Sequence, residues 1–494
     1  MASPVTAPLA SERQSSGSTE PRVEFMEKRN NRQLDTRGKT LVVGMGKTGL
    51  SCVRFLQAQG VDVVACDNRP LPPALAEIQQ LLSPDAVMCG DFDSESFTHC
   101  NQLVVSPGVS VQEEAIQAAQ ACGVEIVGDI ELFARHANAP VIAITGSNGK
   151  STVTALVAEM LQRVGVDARI GGNFGTPALD LLADTRPDVY VLELSSFQLE
   201  TTASLNAAVS VVLNISPDHM DRYIDEPAYL AAKQRIWSGD GVVVVNRDEA
   251  GLLIGRAGEA DLVLGRRQVG FTLAEPSNRD YGLRSRDGQD WLSQGEEYLL
   301  AVTALHIVGR HNIANALASL ALVEAVIDEL PSSVGVSRAL SRPVLLQALS
   351  DFRGLPHRME WLAEVNGVSW YNDSKGTNVG ATLAALQGLD DPVVLIAGGI
   401  AKDADFSLLV SVMAVRGRAV ILIGRDAGQL EAELADVVPC LYAADMNQAV
   451  ALAATQAKSG DVVLLSPACA SFDMFDGYEH RGRVFAEAVA GLSS

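Results

Sequence analysis

The sequence predicts an α/β protein with doubly wound, mostly parallel sheets, and three observations support this fold class. From Lys39 onward, short runs rich in Val, Ile and Leu alternate with Ala- and Leu-rich segments of helical length. The short runs are apolar throughout, which is typical of strands buried on both faces. The chain has 494 residues, too many for one core, so several domains are expected.

The succession of strand-like and helical segments indicates repeated βαβ units. The polar stretch Arg266–Gln294 is an exception, rich in Gly, Asp and Arg, and we expect a hairpin or a surface excursion there. The runs that we expect to form strands are Thr40–Val43, Val61–Ala65, Leu103–Val105, Val141–Ile144, Val189–Leu194, Ala208–Leu213, Val242–Val245, Val393–Ile396, Ala419–Ile423 and Val462–Leu465.

Two changes along the sequence mark domain boundaries. Around His136–Pro140 a helical segment ends and a glycine-rich motif follows, and around Ser337–Pro343 a polar segment follows an Ala-rich helix. Residues 1–38 are crowded with Ser, Gln, Asn, Arg and Glu, so we expect a disordered tail, within which Met26 is an alternative start. The predicted domains are 39–137, 138–340 and 341–494.

Composition excludes several classes of protein. With 38 Lys+Arg against 60 Asp+Glu the net charge is −22, which repels phosphate backbones, so we expect no nucleic-acid partner. No apolar run approaches the roughly 20 residues of a membrane span. The seven cysteines are scattered without a CxxC pair, which favours buried thiols in a cytoplasmic protein. We also expect a monomer.

The first motif is Gly44-Met45-Gly46-Lys47-Thr48-Gly49, between a predicted strand and a helix. Its glycines permit a tight turn, and a helix N-terminus favours phosphate. Asp67 ends the next strand, where a carboxylate can accept bonds from a ribose or a base. The residues alone leave three interpretations open: a dinucleotide, another nucleotide, or helix–strand packing.

The second motif, Thr145-Gly-Ser-Asn-Gly-Lys-Ser-Thr152, is a shortened P-loop. Its backbone N–H groups can cradle phosphates, Lys150 can reach the β and γ oxygens, and Ser151 or Thr152 offers a hydroxyl to Mg²⁺. We therefore expect a central mononucleotide-binding sheet flanked by Rossmann-like N-terminal and C-terminal domains.

Further polar residues follow predicted strands. Glu193 follows a predicted strand, a position from which a carboxylate can bind a nucleotide-bound Mg²⁺. His219 lies in a loop between two aspartates, which favours a functional histidine over one that only packs in the core. Lys233 lies on a predicted helix, where most lysines are solvated. In the last domain Arg358, Lys375 and Lys402 are loop cations in an acidic chain, which favours an anion-binding pocket.

These motifs, in this order, resemble the Mur ligase family of cell-wall synthesis from about Lys39 to the C-terminus. The resemblance rests on the shortened P-loop together with six further motifs. They are Gly171-Gly-Asn173, Glu193-Leu-Ser-Ser-Phe-Gln198, Asp218-His-Met-Asp-Arg-Tyr223, His311-Asn-x-x-Asn315, Pro356-His-Arg358 and Asp373-Ser-Lys-x-Thr-Asn378.

The resemblance implies that the first motif binds the UDP of a substrate rather than NAD. The implied UDP-substrate residues are Gly46, Lys47, Thr48, Asp67, Asn68, Arg69, Ser106, Pro107 and Gly108, with Asn173 and His219 at the sugar-peptide end. The implied ATP residues are Gly146, Ser147, Asn148, Gly149, Lys150, Ser151, Thr152, Asn312, Asn315, Arg358 and Asp373.

For D-glutamate the resemblance implies Lys375, Thr377, Lys402, Ser471 and Tyr478, although the family commonly has Phe at the last position. It implies two Mg²⁺ ions, held by Ser151, Glu193, His219 and a carbamylated Lys233. The expected catalytic residues are Lys150, Asn173, His219 and Lys233.

The motifs are most similar to those of family members that add D-glutamate to UDP-N-acetylmuramoyl-L-alanine. The resemblance implies that ATP activates the alanyl carboxylate as an acyl phosphate, which the amine of D-glutamate attacks, releasing ADP and phosphate. Rival ligases would add L-alanine, a diamino acid or a dipeptide, or extend folate, but the Asp-Asn-Pro-Arg motif of diamino-acid-adding relatives is missing. Outside the ligases, the residues are compatible with an NAD-dependent dehydrogenase or a non-catalytic nucleotide-binding regulator.

Overall fold

The computed structural model describes residues 34–182, 185–253, 263, 265–401 and 404–493. Most of the predicted tail lies outside this range. Its last residues do not fit a disordered segment running to 38, because Leu34 and Thr36 are buried. The Thr36 hydroxyl donates to the carbonyl of Ser96 at 2.6 Å, which attaches this end of the tail to the N-terminal part of the fold.

The described residues form two compact units, and the first comprises residues up to 104 together with 112–126. It carries a five-stranded sheet in the order β3-β2-β1-β4-β5, in which β1 pairs parallel with β2 and β2 with β3. The strands are β1 (Thr40–Val43), β2 (Val63–Asp67), β3 (Val87–Cys89), β4 (Gln102–Val105) and β5 (Glu125–Val127). The helices are α1 (Lys47–Ala58), α2 (Leu75–Leu81), α3 (Ser94–Thr98) and α4 (Glu114–Ala121).

The second unit comprises residues 105–111 and 127 onward, and its first sheet has nine strands in the order β14-β13-β12-β11-β10-β9-β6-β8-β7. The strands are β6 (Val141–Thr145), β7 (Ala168–Gly172), β8 (Val189–Glu193), β9 (Val209–Val212), β10 (Val242–Asn246), β11 (Gln268–Phe271), β12 (Tyr281–Arg286), β13 (Gln289–Gln294) and β14 (Glu297–Ala301). The helices are α5 (Asp129–His136), α6 (Lys150–Arg163), α7 (Ser196–Glu200), α8 (Glu226–Gln234), α9 (Arg310–Glu329) and α10 (Arg338–Asp351).

This nine-stranded sheet is parallel from β7 to β11 and antiparallel over β12, β13 and β14. The polar stretch Arg266–Gln294 therefore does contain a hairpin, β12–β13, which extends the sheet. Helix α9 is apolar nearly all round and is buried against the sheet and α6, as expected of a helix without a polar face.

The second sheet of this unit has the order β15-β16-β20-β17-β18-β19 and is parallel except for the β15–β16 hairpin. The strands are β15 (Glu360–Val365), β16 (Val368–Asn372), β17 (Val393–Gly398), β18 (Gly417–Ile423), β19 (Cys440–Tyr442) and β20 (Val462–Leu465). The helices are α11 (Val379–Gln387), α12 (Val410–Arg416), α13 (Ala427–Leu434), α14 (Met446–Gln456) and α15 (Tyr478–Ala490).

The predicted boundary between residues 340 and 341 falls inside α10, which continues through Pro343. Leu345, Leu349 and the following Phe352 are buried in the core of the nine-stranded sheet, so the helix belongs to that layer. We therefore propose that the boundary follows Phe352; the other domain bounds stay predictions.

The seven cysteines, all within the described residues, form no disulfide there, but they are not all buried as predicted. Cys122 is exposed, and Cys89 and Cys440 are half-buried. Burial raises the pKa of the Cys66 thiol well above its usual value and that of Cys100 to about 11. Among the described residues, the helices are all too short or too polar to cross a membrane.

Candidate active site

The loop between β6 and α6 leaves a helix N-terminus open at the carboxyl edge of the parallel sheet. Gly149, the N-cap of α6, has φ +81° and makes no side-chain cap. A Cβ there would lie 2.4 Å from Asn315 Oδ1, so both the backbone conformation and the close approach of α9 require glycine. The uncapped N–H groups of the first turn suit an anion.

Two lysines converge on this loop from different elements. Lys150 Nζ donates to the carbonyls of Gly146 and Ser147, and Lys233 Nζ, from α8, donates to the same Gly146 carbonyl, each at 2.8 Å. Lys233 is 1% exposed and its ammonium lies 4.4 Å from the centre of the Tyr229 ring, so it is not the solvated lysine expected from its position on a helix. Burial lowers the pKa of both lysines, that of Lys233 most strongly, and the charge of Lys150 lowers the pKa of Lys233 further.

Glu193, at the end of β8, accepts hydrogen bonds from two of the predicted residues. Its Oε2 accepts from the Ser151 hydroxyl at 2.5 Å, and its Oε1 accepts from Asn173 Nδ2 at 2.7 Å. Arg358, from the loop before β15, donates through Nη2 to Ser151 Oγ at 2.7 Å. The P-loop hydroxyl, the strand-end carboxylate and a cation from the last sheet thus meet at one point.

His219 adopts a left-handed conformation, φ 59°, which is uncommon for a residue with a Cβ and is found at constrained sites. Its backbone N–H donates to Asp218 Oδ1 at 2.9 Å. Its ring centre lies 4.8 Å from that of Phe197 and 6.4 Å from that of Tyr229. Aromatic contacts on two sides fix the imidazole beside the P-loop.

Two cavities within the second unit collect most of the predicted residues. The smaller cavity, about 260 Å³, is lined by Lys150, Asn173, Glu193, His219, Lys233 and Thr377, among others. The larger cavity, about 420 Å³, is lined by Thr152, Asn312, Asn315 and Asp373 and by apolar side chains such as Phe271 and Leu273. Asn148, Gly149, Arg358 and Lys375 line both. The two cavities therefore meet at the P-loop.

Polar side chains in the wall of the larger cavity form hydrogen bonds with each other and with the backbone. Asn315 Nδ2 donates to Asn312 Oδ1 at 3.1 Å, and Asn312 Nδ2 donates to the Val308 carbonyl at 2.8 Å. Asp373 accepts from the backbone N–H of Met359 and from the Ser466 hydroxyl, and burial raises its pKa to about 7. These bonds orient the polar groups of the wall before any ligand binds.

Of the residues predicted to bind D-glutamate, Lys375 and Tyr478 are in contact: the ammonium lies 3.7 Å from the centre of the phenol ring. Burial, helped by Arg358 and Lys150, lowers the pKa of Lys375 to about 8. Ser471 is buried outside the walls of both cavities. Lys402 lies outside the described residues.

In the first unit, the predicted uridine residues are already paired with each other. Asp67 Oδ2 accepts from the backbone N–H of Met45 at 2.7 Å, and Arg69 donates to both carboxylate oxygens, at 2.8 and 2.7 Å. Although burial raises the pKa of Asp67, these bonds lower it below its usual value. Asn68 and Lys47 are exposed, and Gly46, half-buried, precedes α1 without a side-chain cap.

The segment Ser106-Pro107-Gly108 belongs to the second unit, where Arg222 holds it. Arg222 donates to the carbonyls of Pro107 and Val109 at 3.1 and 3.3 Å and pairs with Glu200 at 2.6 Å. Its guanidinium lies 4.1 Å from the centre of the Phe197 ring. The predicted substrate wall is thereby tied to the chain segment that carries His219.

Sequence reasoning missed four residues that build the smaller cavity or its surroundings: Asp218, Arg222, Tyr229 and Asn378. Three of them lie inside the family motifs, so proximity to His219 and Lys375 was the available signal. No sequence signal pointed to Tyr229, because only the fold brings its hydroxyl within 3.3 Å of the Ser147 hydroxyl.

The donor set suits a hard cation at one position. Ser151 and Glu193 offer adjacent oxygens, the ligands that Mg²⁺ prefers. In the described part of the chain no cluster of three or more His, Cys, Asp and Glu side chains could hold a metal.

Three family models match the chain in order. Residues 38–128 match "Mur ligase MurD-like, N-terminal domain", residues 144–323 "Mur ligase middle domain" and residues 357–469 "Mur ligase, glutamate ligase domain". The chain belongs to the Mur ligase family. The dehydrogenase interpretation of the first motif is therefore wrong, and the resemblance inferred from the motifs is confirmed.

Close relatives of this Mur ligase cover nearly its whole length. The UDP-N-acetylmuramoylalanine–D-glutamate ligase of Nitrosococcus oceani is 52% identical over 466 residues, which are 94% of this chain and 98% of that protein. The protein of the same name from Pseudomonas putida is 48% identical over 457 residues, 92% of this chain and 97% of its own.

Solved structures agree on the fold. The UDP-N-acetylmuramate-alanine ligase MurC of Thermotoga maritima has a TM-score of 0.56 at 18% identity and covers 92% of this chain and 99% of its own. The MurF ligase of the same organism, in complex with ADP, has a TM-score of 0.56 at 15% identity, covering 93% and 97%. The predicted three-domain α/β fold is confirmed.

Proposed function

We propose that this Mur ligase adds D-glutamate to UDP-N-acetylmuramoyl-L-alanine in an ATP-dependent reaction of peptidoglycan precursor synthesis. The observation that carries the proposal is the smaller cavity, where the P-loop Lys150, the Ser151–Glu193 pair and Lys375 converge. A phosphate site, a cation site and a carboxylate site side by side are what an ATP-dependent amide ligase needs. The names of the two curated relatives support D-glutamate as the added amino acid.

ATP would occupy the larger cavity, with its phosphates at the open N-terminus of α6. The base and ribose would lie between Phe271 and the bonded Asn312–Asn315 pair, near Asp373. The γ-phosphate would then lie where both cavities meet, beside Lys150 and Arg358. The relative from Thermotoga maritima solved with ADP supports a nucleotide in this fold.

The first chemical step would join the alanyl carboxylate to phosphorus. A carboxylate oxygen attacks the γ-phosphorus, the bond to the β–γ bridging oxygen breaks, and ADP leaves with an acyl phosphate formed. Lys150 and Arg358 neutralise charge on the moving phosphoryl group, and preorganised cations in a water-poor site are effective in this role. Bound Mg²⁺ supplies further electrostatic stabilisation of the phosphate oxygens.

The second step would form the amide. The neutral amine of D-glutamate attacks the acyl carbon and a tetrahedral intermediate forms. The C–O bond then breaks, and phosphate leaves with the proton that the nitrogen gives up. Lys375 provides a fixed positive charge for a carboxylate of D-glutamate, with Thr377 beside it and Tyr478 under the ammonium. Lys402 and Ser471 complete the set in the proposal.

Residues for two Mg²⁺ ions are proposed. Ser151 and Glu193 would hold the first, and His219 with a carbamylated Lys233 the second. A carbamate turns an ammonium that repels metal into an anionic oxygen ligand. The proposed UDP-substrate residues are Gly46, Lys47, Thr48, Asp67, Asn68, Arg69, Ser106, Pro107 and Gly108, with Asn173 and His219 at the peptide end. We further propose a cytoplasmic monomer without a nucleic-acid partner.

The deciding experiment is phosphate release from ATP with UDP-N-acetylmuramoyl-L-alanine and one amino acid at a time. We expect release with D-glutamate and at most a trace with L-glutamate, L-alanine or diaminopimelate. Stimulation by another amino acid would favour one of the rival ligases. Absence of phosphate release stimulated by any amino acid would favour the non-catalytic regulator.

A further inference from the structure

Asn378, which the proposed chemistry does not use, lies between three segments of the cavity wall. It follows Thr377 and is the N-cap of α11, where its Oδ1 accepts from the backbone N–H of Ala381 at 2.8 Å. Its side-chain amide faces the P-loop and the segment that carries His219. The side chain is 8% exposed, so each of its polar atoms must be satisfied by the protein.

The amide nitrogen of Asn378 donates to both of those segments. Nδ2 donates to Asp218 Oδ2 at 3.0 Å and to Asn148 Oδ1 at 3.3 Å. Asn148 returns the contact, since its Nδ2 lies 3.5 Å from Asn378 Oδ1. Both donors and the acceptor of one side chain are therefore used, on three separate pieces of backbone.

The partners of Asn378 are themselves fixed to reactive groups. Asp218 Oδ1 accepts from the backbone N–H of His219, and Asn148 is two residues before Lys150 in the P-loop. Asn148 is held in addition by Asn214, whose Oδ1 accepts from the Asn148 backbone N–H at 2.8 Å. A shift of α11 would therefore move both the backbone at His219 and the P-loop near Lys150.

A second observation shows that α11 is built to approach this segment. A Cβ on Gly380, in the first turn of α11, would lie 2.7 Å from Ser216 Oγ. Only a glycine allows the helix to come so close to the chain that leads to His219. The close contact and the hydrogen bonds of Asn378 act at the same interface.

We propose that Asn378 is a positioning residue that sets Thr377 and Lys375 in register with the P-loop and His219. The inference rests on the proposed function, because it assigns D-glutamate to the Lys375 side and phosphate to the P-loop side. The side-chain amide of Asn378 aligns the Lys375 side with the P-loop side because it forms hydrogen bonds to Asn148 and Asp218 at the same time. It does not touch the reacting atoms.

The test exchanges the amide and the carboxylate across the contact. Asn378→Asp keeps the N-cap acceptor for α11, since Asp caps as well as Asn, but it removes the donor and places a carboxylate against Asp218. Asp218→Asn keeps the Oδ1 acceptor for the His219 N–H and supplies a new donor in place of Oδ2. The double variant therefore restores an amide–carboxylate pair with the roles reversed.

In Asn378→Asp we expect the KM for D-glutamate to rise about tenfold or more, because a hydrogen bond to the carboxylate of Asp218 becomes a repulsion. The double variant should regain most of that loss, although Asp218→Asn alone is impaired. Asp445→Asn is the matched control, since Asp445 caps α14 through Gln448 only, and its KM should stay within about twofold of the parent.

Amide hydrogen exchange over residues 214–220 provides a readout that does not depend on turnover. Exchange there should speed up in Asn378→Asp and return to the parent rate in the double variant. Effects of the single changes that simply multiply in the double variant, or unchanged exchange in Asn378→Asp, would overturn the proposal. If the parent enzyme released no phosphate with D-glutamate, the proposed function would fail, while the exchange data would still decide the role of Asn378.

Discussion

Lys150 and Lys233 donate to the same acceptor, the carbonyl oxygen of Gly146, each at 2.8 Å. Lys233 is buried and Lys150 is half-buried, and two ammonium groups on one oxygen repel each other in a medium of low polarity. The arrangement is relieved if one of them is neutral or carries an anionic group. The proposed task of Lys150 is at the phosphates, so the position of Lys233 is the one to explain.

Lys233 should be carbamylated in the active enzyme. CO₂ adds to the neutral amine, an N–C bond forms and a proton is released, which replaces a second buried cation by an anionic oxygen ligand. We expect Lys233→Ala to be folded and nearly inactive, and added short-chain carboxylate to restore part of the activity. Steady-state phosphate release, with and without the carboxylate, measures this.

The matched control for Lys233 is Lys458→Ala, because Lys458 is an exposed lysine in the loop between α14 and β20 and lines neither cavity. It should be as active as the parent and insensitive to carboxylate. Full activity of Lys233→Ala, or an unmodified Lys233 in a nucleotide-bound crystal structure, would contradict the prediction.

Lys150→Ala should abolish turnover. The charge of Lys150 is needed most when the phosphoryl group moves, and loss of one preorganised donor of this kind costs about 3 to 4 kcal/mol or more in the transition state. Single-turnover formation of ADP measures the chemical step directly. A kcat close to that of the parent would show that the P-loop is not where phosphoryl transfer occurs.

Lys375→Ala should weaken D-glutamate far more than ATP. A doubly carboxylated amino acid needs fixed cations to replace its water, and the Lys375 ammonium is held over Tyr478 in the smaller cavity. Separate KM values for D-glutamate and ATP test this, and we predict the same pattern for Lys402→Ala. A KM for ATP that rises while that for D-glutamate stays constant would reverse the assignment.

Glu131→Gln should destabilise the protein in a pH-dependent way. Burial works to raise the pKa of Glu131, but bonds from the backbone N–H groups of Ala203 and Ser204, from the Ser204 hydroxyl and from Arg135 lower it to about 2. Because the unfolded value is about 4.3, the charged form contributes about 2 to 3 kcal/mol of stability at pH 7. This contribution is lost as the pH falls through the folded pKa.

Urea unfolding at several pH values measures the effect of Glu131→Gln. The difference in the free energy of unfolding from the parent should be full above about pH 5 and shrink towards pH 2, where Glu131 becomes protonated. Glu364→Gln, at an exposed position on β15, is the control and should show a small difference at every pH. A difference for Glu131→Gln that does not change with pH would contradict the linkage.

The sequence was most informative where both faces of a strand are buried. The predicted strands Thr40–Val43 and Val462–Leu465 have the observed bounds, because an uninterrupted apolar run has only one stable place in such a sheet. By contrast, β7 carries Arg169 and two glycines, and β15 lies at an edge of its sheet and has no buried residue. Neither has the composition of a buried strand, so neither was predicted.

Site residues, like strands, could be predicted where the signal is local in the sequence and were missed where it is not. Lys150 and Ser151 follow from local chemistry, since a strand, a glycine-rich loop and a helix N-terminus are consecutive in the sequence. The burial of Lys233 and the contacts of Asn378 arise from segments more than 80 residues apart, which no local pattern encodes. Pro343 misled the placement of a boundary, because proline usually ends a helix, whereas α10 tolerates it.

The uneven burial of the thiols has a practical consequence for labelling. Maleimide reagents react with accessible thiolates, and Cys122, at the end of α4, is the exposed cysteine of the seven. The buried Cys66 and Cys100 hold their protons too tightly to compete at neutral pH. A fluorophore could therefore be attached to Cys122, in the N-terminal unit, without adding or removing a cysteine.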